Sequence, residues 1–200
     1  MKANVKGNPH AKWGYCYGVG VLDYNGTIKQ NGKNLISYNL WRNMIQRCYD
    51  KSFLQKHPTY IGCEVCDEWK YFSNFKKWFD KNYINGWELD KDIKSFGKNK
   101  VYSPNNCCFV PHEINVFVAS KTKTKKDGLP SNIRLTSGKR YNVRVLLGGV
   151  NAKLGTYDKI EDAIKVLNKA KNKHLKDLAL PYFKSGLLSE KVYNCLSSYF

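Results

Sequence analysis

Residues 131–175 constrain the fold more tightly than any other stretch. Ser131-Asn-Ile-Arg-Leu135, Lys139-Arg-Tyr-Asn-Val-Arg-Val145 and Asn151-Ala-Lys-Leu-Gly-Thr-Tyr157 each alternate apolar with polar residues. Ser137-Gly138 and Gly148-Gly149 separate them as turns, so the runs read as a three-stranded antiparallel meander. The period then changes, and Ile160, Ala163, Ile164, Leu167, Ala170 and Leu175 fall on one face of a helix. That helix is expected to cover one face of the sheet. In the middle strand, alternation sets Arg140, Asn142 and Arg144 on one side and Tyr141, Val143 and Val145 on the other. Arg134 and Lys153 extend the polar side, which suits base edges and phosphates. Simple solvent exposure is its bland alternative.

Charge says what such a face would meet. The chain of 200 residues carries a net +18, which suits a polyanion: nucleic acid or an anionic membrane surface. Between residues 121 and 176, 15 Lys or Arg stand against four Asp or Glu, so the excess is concentrated in this region. Lys121, Lys123, Lys125 and Lys126 form a basic linker ending at Asp127-Gly128-Leu-Pro130. No run of 18 apolar residues exists, so no bilayer span and no membrane partner is expected. The opening Met-Lys-Ala-Asn-Val-Lys-Gly lacks the apolar stretch of an export signal. Seven cysteines without such a signal predict mostly free thiols in a reducing cytoplasm.

The amino-terminal half reads as mainly helical. Gly18-Val-Gly-Val-Leu22 alternates and stops at Asn25-Gly26, a hairpin-type turn. No helix pattern or Lys-Ser/Thr follows Gly18-Val19-Gly20, so a phosphate loop is not expected. Trp41, Met44, Ile45 and Cys48 mark one apolar helix face, capped by Ser37 or Asn39. Arg42 and Arg47 fall off this stripe, toward solvent or phosphate. Residues 50–62 are a connection around His57-Pro58. Phe72, Phe75, Trp78 and Phe79 mark a second core helix, starting near Ser73 or Asn74 and ending near Asn85-Gly86. At the other end, Pro181 is expected to interrupt the long helix, and a last short one begins at Ser189.

Between these halves, Leu89-Asp90-Lys91-Asp92-Ile93 turns over through Gly97 and Lys98-Asn99 and returns through Val101-Tyr102. It breaks at Ser103-Pro104 and closes on a helix carrying His112 and Asn115. This outline, with Asp90, Asn106 and Asn115 in that order, resembles the ββα-metal core of phage-type HNH homing endonucleases. The resemblance implies a divalent metal, Mg²⁺ or Mn²⁺, held by Asp90 and Asn115, with Asn106 securing the loop that positions the general base. That base should be a histidine after the aspartate, and here it is Lys91. An unperturbed lysine titrates at about 10.4, and bringing it to about 7 requires roughly 4–5 kcal/mol of destabilisation. His112 and Asp92 are the alternatives, and so is a site retained only as a scaffold. Some members carry a structural Zn²⁺ on four cysteines. Cys63-Glu-Val-Cys66 has that spacing, but the adjacent Cys107-Cys108 does not supply a second pair.

The carboxyl-terminal pattern resembles the AP2 DNA-binding domain. The likeness rests on Gly128-Leu-Pro with Ile133-Arg134, Lys139-Arg-Tyr-Asn-Val-Arg144, Leu154-Gly-Thr-Tyr157 and Glu161-Asp-Ala163. It implies that the exposed sheet face, with Arg134, Lys139, Arg140, Asn142, Arg144 and Lys153, enters the major groove. The expectation is therefore an α+β protein with an HNH-like domain at 1–118, a linker at 119–127, an AP2-like domain at 128–178 and a helical tail at 179–200. Its expected partner is double-stranded DNA, cut by metal-dependent phosphodiester hydrolysis in the cytoplasm of a bacterial host. The rival readings are an inactive DNA-binding regulator or accessory factor, and a phage protein-interaction module.

Overall fold

The computed structural model describes residues 16–120 and 124–200. Residues 121–123 of the predicted basic linker, and residues 1–15, lie outside these. The chain divides into two compact units, the first ending at Phe109 and the second beginning at Val110. Helices mixed with small sheets confirm the α+β class.

In the first unit, β1 (Lys29–Gln30) and β2 (Lys33–Asn34) pair as an antiparallel hairpin. The connecting Asn31 and Gly32 have φ of 50° and 74°, the left-handed pair of a type I′ turn. The hairpin turn expected at Asn25-Gly26 is not formed. A Cβ on Gly26 would lie 2.5 Å from the Tyr24 ring, so this glycine instead lets the ring approach the backbone. The alternating 18–22 run is not one side of that hairpin either. Cys16 and Gly20 close a tight loop, and Val21 bridges to Tyr71 in parallel.

Helix α1 (Ile36–Tyr49) buries Trp41, Met44, Ile45 and Cys48, the stripe read from the sequence. Neither proposed cap acts. Ser37 is buried in the first turn, and Asn39 accepts from Asn34 Nδ2 at 3.2 Å. The supposed connection after residue 50 holds a short helix, α2 (Lys51–Lys56), because Asp50 accepts the N–H groups of Ser52 and Phe53. Next come β3 (Glu64–Val65) and α3 (Phe72–Asn82), whose Phe72, Phe75 and Phe79 are buried. Asp23 caps α3 from 50 residues away: its carboxylate accepts the Ser73 N–H at 2.8 Å and the Ser73 hydroxyl at 2.5 Å. Losing an N-terminal cap costs about 1–2 kcal/mol. Asp23→Ala should therefore lower the urea midpoint without changing the slope.

The strands of the central stretch are β4 (Glu88–Asp90), β5 (Val101–Tyr102) and β6 (Cys108–Val110). Their pairing corrects the expected hairpin. β4 is hydrogen-bonded to β6, while β5 runs parallel to β3. The reason is burial: Val65 and Tyr102 face each other in register and are only 3% and 2% exposed in the core of the first unit.

The second unit contains α4 (His112–Ala119), then β7 (Ile133–Leu135), β8 (Tyr141–Leu147) and β9 (Val150–Tyr157). The three strands form an antiparallel sheet in that order, as the alternation predicts. Helix α5 (Ile160–Lys184) lays Ala163 and Leu167 against Ile133, Val143 and Val145. Pro181 does not interrupt α5. The turn beyond it is anchored by Phe183 stacked on Tyr193 and by Tyr182 bonded to Glu113. Gly186, with φ of 75°, and the buried Leu188 then close the helix end. Ser189 caps the last helix, α6 (Glu190–Ser197), accepting from the Val192 N–H.

Candidate metal centre and nucleic-acid interface

Asp90 ends β4 and is 9% exposed. Its Oδ1 accepts the N–H groups of Asp92 at 2.8 Å and Ile93 at 2.7 Å, which fastens the 3₁₀ turn at Ile93–Ser95. Oδ2 takes no hydrogen bond among the described residues. Burial pushes this carboxyl up to about 6, against the pull of the two amides. A carboxylate disfavoured as a bare anion, with one oxygen uncommitted, suits a hard divalent cation. Mg²⁺ in particular needs only one or two carboxylates beside phosphate and water.

Lys91 is 8% exposed and turns to Asp92, with Nζ at 2.5 Å from Oδ1 and 5.7 Å from the Tyr102 ring centroid. Burial works to lower its pKa, but the hydrogen bond and charge of Asp92 outweigh burial and hold it above the ordinary lysine value. That is the reverse of what a general base at neutral pH requires. Asn106 donates from Nδ2 to the Val101 carbonyl at 2.9 Å, tying the turn before β6 to β5. Asp90, Lys91 and Asn106 belong to the first unit, whereas His112 and Asn115 lie on α4 in the second. Cys63, Cys107 and Cys108 are buried and form no disulfide among the described residues. Among the described residues no group of three or more His, Cys, Asp or Glu side chains is gathered into a site that could hold a metal by protein ligands alone. Arg47 is half-buried and engaged, over the Tyr60 ring at 5.8 Å and bonded to Tyr102.

The sheet of the second unit sorts the six predicted DNA-contacting residues. Register places Arg134 beside Asn142 and Thr156 in one row, and Arg144 opposite Lys153 in the next. The face opposite α5 thus carries Arg134, Asn142, Arg144 and Lys153, as alternation implied. A bulge interrupts the register beside Val143/Arg144, where Gly155 takes φ of 118°. The extra residue on β9 restores Thr156 to the outer face, a position that plain alternation from Lys153 assigns to the inside. The glycine in Leu154-Gly-Thr is the sequence signal for it.

Arg134, Arg144 and Lys153 are exposed, and no ion pair or side-chain hydrogen bond among the described residues engages them. Arg140 is committed, with Nε 2.7 Å from Asp158 Oδ1. Asn142 donates to Thr156 Oγ1 at 3.0 Å. Lys139 occupies the preceding turn with φ of 56°. Two cations face each other across β8 and β9 with no acid in their row, which destabilises a bare sheet and suits one that meets an anion.

No protein-family model, curated protein or solved structure matches the chain. No helix among the described residues is long and apolar enough to cross a membrane.

Proposed function

We propose that the protein binds double-stranded DNA through the outer face of the β7–β9 sheet and hydrolyses a phosphodiester bond with a divalent metal at Asp90, as an HNH-type nuclease. The observation that carries the reading is the face itself, with Arg134, Arg144 and Lys153 exposed and uncommitted on one side of an antiparallel sheet. Asp90 and, by the resemblance, Asn115 would hold Mg²⁺ or Mn²⁺, which supplies Lewis-acid activation of phosphate and water. Asn106 holds the loop behind the site. Lys91 stays protonated and paired with Asp92, and the resemblance alone leaves His112 as the candidate to take the proton from water. A homing-type role and a phage origin follow from the resemblance alone.

Binding is tested by salt titration of a gel shift. Each phosphate contact contributes about 0.9 to the log–log salt slope. Arg144→Gln with Lys153→Gln should reduce the slope by roughly 2 and the affinity by roughly tenfold or more. Arg140→Gln should matter less, because its charge already faces Asp158. An unchanged slope in the double variant would remove the sheet face from the account. The ion-paired Lys91 favours one second reading: a DNA-binding protein that has lost hydrolysis. Plasmid left intact in both metals, with binding retained, would select it.

A further inference from the structure

The second unit has another cationic surface, on the far side of α5 from the sheet. The buried stripe of α5 runs through Ala163, Leu167, Lys171 and Leu175. Lys165, Lys169, Lys173 and Lys176 project from the opposite side and are exposed. With Asn168 and Ser197 they wall a groove of about 570 Å³ beside the end of α6, and among the described residues no acid lines it. Like charges at i, i+4 weaken a helix. Lys165, Lys169 and Lys173 repeat that spacing twice.

Acidic relief is partial. Asp177 pairs with Lys173 at 2.6 Å, and Glu161 and Asp162 precede Lys165 by one turn. Lys165, Lys169 and Lys176 make no ion pair or side-chain hydrogen bond among the described residues. Over the 11 helical steps from Lys165 to Lys176 the stripe extends about 16 Å, long enough to follow successive phosphates of one strand.

We propose that this groove is a second DNA-backbone site, so that the unit engages one duplex segment with its sheet and another with α5. It reads no sequence, because lysines present point charges and no planar fork to base edges. The inference rests on the proposed DNA binding, yet it stands on its own surface and can fail separately. Two segments held on opposite sides let the protein bridge distant sites or the arms of a bent duplex.

The test uses the full chain and the variant Lys165→Gln/Lys169→Gln/Lys176→Gln, which keeps most of each stem and removes the charge. Immobilised duplex, saturated with protein and washed, is offered a second, labelled duplex. Wild type should capture it. The triple variant should still bind the first duplex but lose capture at least tenfold, and the total salt slope should fall by roughly 2–3. Its thermal midpoint should be unchanged or raised, which excludes misfolding. Equal capture by wild type and variant, or no capture by wild type, overturns the second site. Unchanged DNA binding with loss of adsorption to anionic vesicles also overturns it and assigns the groove to a membrane surface. Should Arg144→Gln/Lys153→Gln leave DNA binding intact while the triple variant abolishes it, the sheet assignment fails and the groove survives.

Discussion

Asp90→Asn is expected to abolish metal-dependent DNA cleavage while making the metal-free protein more stable at about pH 7, by up to about 3 kcal/mol. The two effects have one cause. Asparagine retains a carbonyl oxygen for the Asp92 and Ile93 amides, so the turn stays fastened. It removes a charge whose pKa burial has raised from 3.8 to about 6, and each tenfold gain in proton affinity corresponds to about 1.4 kcal/mol.

The pH dependence has a definite sign. A group whose folded-state pKa lies above its unfolded value binds its proton more tightly when folded. Its favourable contribution is complete below about 3.8 and is lost as pH rises through about 6. The stability difference between variant and wild type should therefore be near zero in acid and full in neutral solution. Saturating Mn²⁺ should raise the wild-type melting midpoint, because it binds the folded state and restores a partner to the carboxylate. It should leave Asp90→Asn unmoved. Urea unfolding across this pH range, with and without Mn²⁺, measures all three. A variant less stable than wild type at neutral pH would mean that Asp90 is simply a structural cap.

The second large effect lies in the core. Trp41 is fully buried, with its ring 5.4 Å from Phe72 and 6.1 Å from Tyr38 between centroids, and Gly20 lies against it. Its Nε1 donates to the Trp69 carbonyl at 2.8 Å. Trp41→Ala should cost about 3–5 kcal/mol for the void, with a further 1–3 kcal/mol for the orphaned carbonyl. That is a large fraction of the stability of a domain this size, so the first unit should unfold or express insolubly. Trp41→Phe keeps most of the volume and loses the hydrogen bond, so it should cost about 1–3 kcal/mol. Near-equal urea midpoints for the alanine and phenylalanine variants would contradict this account of the core.

Periodicity made the cores legible. The stripe through Trp41 and Cys48, the stripe through Phe72 and Phe79, and the alternation of Tyr141, Val143 and Val145 all point inward as their spacing requires. Features set by a distant partner were not legible. Asp23 caps a helix 50 residues away, a contact that no local pattern encodes. Val101-Tyr102 pairs with β3 because Tyr102 is buried beside Val65, and its own neighbourhood reads equally well as a hairpin return to β4. Asn31-Gly32 carries a stronger turn signal than Asn25-Gly26, but only two strand residues flank it on each side, too few to show alternation.

The candidate site divides in the same way. Residue type and order singled out Asp90 and the sheet face, whereas the commitment of Arg140 to Asp158 and of Lys91 to Asp92 depends on folded geometry. Among the arginines and lysines of the face, the structure separates those already neutralised from those still open to an anion.

Supercoiled plasmid incubated with wild type or Asp90→Asn, in Mg²⁺ and in Mn²⁺, tests the nuclease reading most directly. Nicking or linearisation by wild type in at least one metal is the predicted result, with none by the variant although it shifts DNA equally well. Intact plasmid with wild type in both metals, or equal cleavage by the two proteins, would contradict it.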